Sequence, residues 1–170
     1  MPPDERSMRS EFHRHLKGLV VLEDAGIEQS IARVVQAIDI PLESPHQEII
    51  THLVERERAL SGVLDTGVVI VESSKLPRCS SELLIGIGVS PEGVSWRFSD
   101  GKQSLLWEER VYFVAVILHH EPSARLRGLR AVAAVLQPRS EFYRRLLNCT
   151  SLPDAVEIFR RFEEKSPWQD

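Results

Sequence analysis

At 170 residues the chain has the length of one domain and can bury a core without disulfide or metal staples. With 42% hydrophobic and 27% charged residues its composition excludes wholesale disorder, and a net charge of −4 argues against general nucleic-acid binding, which needs a concentrated basic surface. The longest apolar run, Val111 to Leu118, falls far short of the roughly 20 residues of a membrane-crossing helix, so no membrane insertion is expected, and the charged start of the chain points to a cytoplasmic location.

Residues 1–15 show no hydrophobic period and are expected to form a loose arm, leaving 16–165 as a single domain. Gly18 to Leu22 predicts a short strand. Ile27, Ile31, Val34, Val35 and Ile38 then recur at helical spacing until Pro41. Ser44 and Pro45 read as the start of a second helix, whose stripe of Ile49, Ile50, Leu53 and Val54 runs toward Arg58. Val68 to Val71, Leu83 to Val89 and Val111 to Leu118 are apolar at consecutive positions and predict central strands covered on both faces. Gly93 to Phe98 alternates and ends in Ser99-Asp100-Gly101, which reads as a more exposed strand nearer a sheet edge. Three helices are predicted beyond it. One carries Leu126, Leu129, Val132, Ala133 and Leu136, a short one carries Phe142, Leu146 and Leu147, and the last follows a capping pair, Ser151 with Asp154. The fold class is therefore α/β, with a mixed central sheet and helices on both faces.

Familiar chemical signatures are absent. Gly86-Ile87-Gly88 lacks a third glycine and lies inside a strand run, which excludes a dinucleotide fingerprint. His13 and His15 form an isolated HxH without further ligands, and Cys79 and Cys149 are in no CxxC arrangement, so no metal or cofactor is implied and both cysteines are expected to be free thiols. Arg125, Arg127, Arg130, Arg139, Arg144 and Arg145 crowd one region, either facing an acidic partner or, as charge runs ordinarily do, lying on solvated helix faces.

The most informative stretch runs from Leu53 to Pro77. Arg56-Glu57 ends a helix, Ser61 lies in the loop that follows, and Gly67-Val68-Val69-Ile70-Val71-Glu72 forms a short strand. This spacing resembles the phosphoryl-accepting IIA domains of the bacterial sugar phosphotransferase system, of the fructose, mannitol and nitrogen-regulatory type (EIIA type-2). In that family an Arg-Glu pair, a serine-containing loop and a Gly-Val-Ala-Ile-Pro-His strand deliver the phosphoacceptor histidine. Counted from Arg56 without a gap, that position is Glu72, and the proline before it is Val71. The family's second histidine, before a leucine near the start of a late helix, is matched by Arg125-Leu126.

The resemblance covers about residues 16–164 and implies a phosphotransferase/anion-transport-protein-like fold. It also implies a regulatory domain that binds protein partners such as a transporter, a kinase or a phosphocarrier protein. With both histidines replaced, loss of phosphotransfer is the expected reading, because transfer needs an activated imidazole. Glu72 and Arg125 are expected to face each other and to pair. Glu72 as a standing negative charge in place of a phosphoryl group, and Glu72 as a merely solvated strand-end residue, are the alternatives. A divergent phosphocarrier using Glu72, His119 or His120 is the enzymatic alternative, although a solvated strand-end pair is the ordinary reading of those two histidines.

Overall fold

The computed structural model describes residues 12–38, 40, 46–64, 66–76, 82–99 and 105–165, with side chains left out at 98, 99, 105 and 106. Five strands, β1 (Leu16–Val21), β2 (Val63–Leu64), β3 (Val68–Ser73), β4 (Leu83–Ser99) and β5 (Leu105–His119), form one sheet in the order β1-β4-β5-β3-β2. The β1–β4 and β3–β5 pairs are parallel and the β4–β5 and β2–β3 pairs antiparallel, so the sheet is mixed, as the sequence predicts. The three runs of consecutive apolar residues occupy its three central strands, where both faces need covering.

Two helices cover one face, α1 (Gly26–Ala37) and α2 (His46–Ala59), and three cover the other, α3 (Pro122–Val135), α4 (Glu141–Leu147) and α5 (Leu152–Lys165). The strand pleat divides the core accordingly. Val69, Val71, Val114, Val116 and Leu118 pack under α1 and α2, whereas Val68, Ile70, Phe113, Ala115 and Ile117 pack under α3 to α5. Local signals set the helix starts: Ser140 caps α4 through Phe142 N (3.2 Å), and Ser151 accepts from Asp154 N (3.3 Å) ahead of α5. The predicted start of α2 at Ser44-Pro45 lies outside the described residues, as does Cys79; Cys149 is a buried free thiol.

Four features differ from the sequence expectation. Gly93 to Phe98 is not a separate strand nearer an edge: it continues β4, with Ser90 to Gly93 forming a bulge between the Val89–Phe113 and Val94–Val111 pairs. The β4–β5 hairpin thus runs past β1 and β3, and Trp96 on it is fully buried. Phe12–His15, placed by composition in the arm, is a 3-10 turn in which His13 N and Nδ1 both meet the Glu163 carboxylate at 2.8 Å. On α3 the buried positions are Ala124, Gly128, Ala131, Val132 and Val135, while Leu126 is 53% exposed. The small residues face inward because a β-carbon at Gly128 would already stand 3.1 Å from Leu83 Cδ1, which leaves no room for leucines in that row. Finally, Arg127 is not turned freely to solvent but meets Glu82 at 2.7 Å.

The Gly86 and Gly88 positions explain the abortive glycine motif. Added β-carbons would come within 2.6 Å of Ile38 Cγ1 and 2.5 Å of Leu22 Cδ1, so bare backbone is what lets α1 and the chain after β1 lie against β4. Gly88→Val should therefore destabilise the fold by about 1–3 kcal/mol, read as a lower urea midpoint at unchanged slope.

Candidate functional site

The site forms where β3 and β5 end and α3 begins. Alternation along β3 sends Glu72 toward α3 and the next residue, Ser73, toward α2. Pro122 opens α3 in its first turn, which places Arg125 beside the row of buried small residues and within reach of Glu72. Arg125 Nε donates to Glu72 Oε1 at 2.7 Å and Oε2 at 2.6 Å. The carboxylate raises the pKa of Arg125, through this hydrogen bond first and the charge attraction second.

Arg56 approaches from the opposite layer. It lies on α2 and crosses the sheet edge, which the two-residue β2 leaves open at this level, to reach the Glu72 carbonyl and Oε1, both at 3.4 Å. The Glu72 side chain is 11% exposed, against 49% for Arg56 and 44% for Arg125, so the carboxylate lies at the floor of the cluster and the guanidinium groups form its rim.

Arg56 and Glu57 diverge because neighbours on a helix point about 100° apart. Glu57 is buried and accepts from Ser61 Oγ (2.7 Å), Gly62 N (2.8 Å) and Trp96 Nε1 (3.2 Å), and Ser61 Oγ in turn accepts from Val63 N (3.1 Å). The pair of residues thus divides its work: one anchors the helix end to the loop and the β4–β5 hairpin, the other reaches the site. Gly67, with φ +71°, makes the β2–β3 turn, and its carbonyl accepts from Tyr112 N at 2.8 Å.

His119 is not a solvated strand-end residue. It is 5% exposed on the Ile117 side of β5, and both ring nitrogens are sealed without a hydrogen-bond partner. Burial lowers its pKa most; Glu72 opposes that, and Arg125, Arg56 and His120 add to it. His120 has Nδ1 sealed in the same way. Sequence reasoning missed His52, one helical turn before Arg56. Its Nδ1 lies 2.7 Å from Ser73 Oγ, which also accepts from Lys75 N at 3.1 Å. Burial and then the charges of Arg56 and Lys75 lower its pKa. The i, i+4 spacing of His52 and Arg56 was the available signal.

Among the described residues no group of histidine, cysteine and acidic side chains could hold a metal ion. No helix among them is long and apolar enough to cross a membrane. A largely apolar groove of about 480 Å³, lined by Leu64, Val68, Ala133, Leu136 and Pro138 among others, lies at the far end of α3 from Arg125.

No protein-family model matches the chain, and no curated protein matches it in sequence. Solved structures do resemble it. Nitrogen regulatory protein IIA-Ntr from Neisseria meningitidis is similar with a TM-score of 0.57 at 14% identity, covering 86% of this chain and 94% of its own. IIA mannitol from Escherichia coli gives 0.57 at 15%, covering 84% and 95%. A putative PTS IIA (PtxA) from Streptococcus mutans gives 0.59 at 10%, covering 95% and 96%. The chain therefore has the mixed α/β fold of the phosphotransferase-system IIA proteins.

Two outcomes follow from the site geometry. Glu57→Ala strips the acceptor from three buried or half-buried donors and should cost about 3 kcal/mol in chemical denaturation. His119, with its folded pKa below the unfolded value, makes the unfolded chain the better proton binder, so its contribution is complete above about pH 6.5 and is lost as pH falls. His15 and His52 shift the same way, so the comparison that isolates His119 is the stability of His119→Leu against the unsubstituted chain from pH 7.5 to about 5. The variant should lose stability less steeply.

Proposed function

We propose that this chain is a IIA-like regulatory, protein-binding domain that does not accept a phosphoryl group at the family position, because Glu72 and Arg125 stand in the two histidine positions and hold each other. The observation that carries this reading is the Arg125 Nε contact with both Glu72 oxygens, at 2.7 and 2.6 Å, reinforced from the other side by Arg56. A carboxylate whose two oxygens are both engaged by a guanidinium is a poor nucleophile. His119 offers no substitute as it stands, since both its nitrogens are sealed.

The fold supports the regulatory half of the reading. One similar structure is IIA-Ntr, a nitrogen regulatory protein, and another is a complex of enzyme IIA-mannitol with phosphorylated enzyme IIB-mannitol. A domain of this shape without an acceptor acts by binding a protein partner, such as a transporter, kinase or phosphocarrier protein, in one fixed state of its own.

Incubation with phosphoenolpyruvate, enzyme I and the histidine phosphocarrier protein, followed by intact-mass spectrometry, should leave the mass unchanged. A phosphoryl adduct abolished by Glu72→Ala, His119→Ala or His120→Ala would sink the reading and identify the acceptor.

A further inference from the structure

The two edges of the sheet are finished differently. On one, β2 is two residues long, its Val63 N–H donates to Ser61 Oγ at 3.1 Å, and Arg56 reaches the Glu72 carbonyl beyond it. On the other, β1 is a six-residue strand without proline, whose one irregularity lies at its start, between Leu16 and Gly18. Native sheets ordinarily blunt such an edge, because its unpaired N–H and C=O groups are a template for another strand. The 2.8 Å bond from Leu22 N to the Val89 carbonyl sets the phase of this one. Gly18, Val20 and Leu22 turn their backbone groups to β4, and Leu19 and Val21 turn theirs outward. Those outward groups have no partner among the described residues, and Val21 is 41% exposed.

Charge says what covers the edge. Arg14 and Lys17 lie at its start and Glu23 and Asp24 just beyond its end, all exposed. Neighbouring charges do not reverse this pattern: Glu82 is paired with Arg127 and Glu163 with His13, while Asp24 meets only the neutral Ser95 N–H. Lys17 and Glu23 have no ion pair among the described residues, and along an extended chain they stand about 20 Å apart, too far to meet one another. The strand is therefore complementary to a reversed copy of itself. Run antiparallel, the basic start of one copy meets the acidic end of the other; run parallel, like charges meet.

We infer that β1 pairs antiparallel with β1 of a second copy about a two-fold axis at Val20, joining the two sheets into one. In this register Leu19 of each copy exchanges both backbone bonds with Val21 of the other, Val20 faces its own counterpart, and Lys17 stands opposite Glu23. A register centred on Leu19 would also use the outward groups, but it sets Lys17 opposite the apolar Val21. The interface lies at the far edge of the sheet from Glu72, so it is independent of the function proposed above. It leaves both ion clusters of the dimer uncovered, one toward each end of the joined sheet, an arrangement that engages a two-site partner with avidity.

The test is sedimentation equilibrium of the full chain from about 1 to 100 μM, the range of modest protein–protein affinities. A monomer–dimer equilibrium is expected, weakening several-fold in about 0.5 M salt. Lys17→Glu and Glu23→Lys should each weaken dimerisation at least about tenfold, and the two together should restore it, because the exchange re-forms both ion pairs. Val21→Pro removes an outward N–H that the single chain does not use and should abolish the dimer. The charge variants, at exposed positions, keep the test decisive should proline disturb the strand. Oxidation of Val20→Cys, in a chain also carrying Cys79→Ser, should link two copies, since facing residues of a non-hydrogen-bonded pair lie about 4.5 Å apart at Cα.

A monomer throughout this range would overturn the inference. So would a dimer indifferent to Lys17→Glu and Val21→Pro, which would be built on another surface. A dimer strengthened by Lys17→Ala would make Lys17 a guard against pairing and overturn it equally. Failure of the double charge exchange to restore association, or of Val20→Cys to link a dimeric sample, would defeat the two-fold at Val20.

Discussion

The two-residue period of β3 is the constraint on which the site depends. Because successive side chains leave a strand on opposite faces, Glu72 enters the layer of α3 and Ser73 that of α2. A slip of one residue would exchange them, turning the carboxylate toward His52, which now meets Ser73, and away from Arg125. The register is held by six consecutive pairs between β3 and β5, from Val68–Phe113 to Ser73–Leu118. The brevity of β2 matters equally. Since it pairs only with Val68 and Val69, the edge beside Glu72 stays open, and an arginine from the opposite helical layer can cross it.

Close helix–sheet packing supplies the rest of the geometry. On one face Gly86 and Gly88 admit Ile38, Val34 and Leu22; on the other Ala124 and Gly128 bring α3 down onto Leu83 and Ile117. The second approach decides which part of Arg125 meets Glu72. With the helix this near the sheet, the guanidinium makes contact at Nε and its terminal groups extend outward. The same closeness buries His119 under the start of α3, where neither ring nitrogen finds a partner. A polar group left so incurs a desolvation cost that is smaller for neutral imidazole than for the cation, which agrees with the direction of its shift.

Most of the fold was legible in the sequence because strands buried on both faces have an unmistakable composition. The three central strands, the capped start of α5 and the helix–strand order all follow from apolar period and turn residues. What misled was local chemistry that tertiary contacts override. Ser90-Pro91-Glu92-Gly93 has the composition of a turn yet serves as a bulge, since the hairpin partner continues on β5 and Trp96 has a buried acceptor in Glu57. Leu126 belongs to an apolar stripe yet faces solvent, because the choice between large and small faces of α3 is made by the space above Ile117. The facing of Glu72 and Arg125 was what the resemblance to the IIA domains implied; the contribution of Arg56 across the edge and of His52 on Ser73 was not legible, because both depend on how α2 lies along β3.

The contrast between the two carboxylates of this region separates architecture from function. Glu57 is surrounded by one indole N–H, one backbone N–H and one hydroxyl, a shell of neutral donors that closes around it and faces nothing outside. Glu72 is met by two charged groups that are half-exposed and, among the described residues, retain unused donors. A closed neutral shell stabilises a loop and conveys no charge to the surface. An open cationic shell does both, because the carboxylate that orders it neutralises only part of it. Exposed ion pairs contribute little to stability on their own. Two arginines recruited from opposite faces of the sheet to one carboxylate are therefore better explained by what their outward groups can bind than by the stability they add.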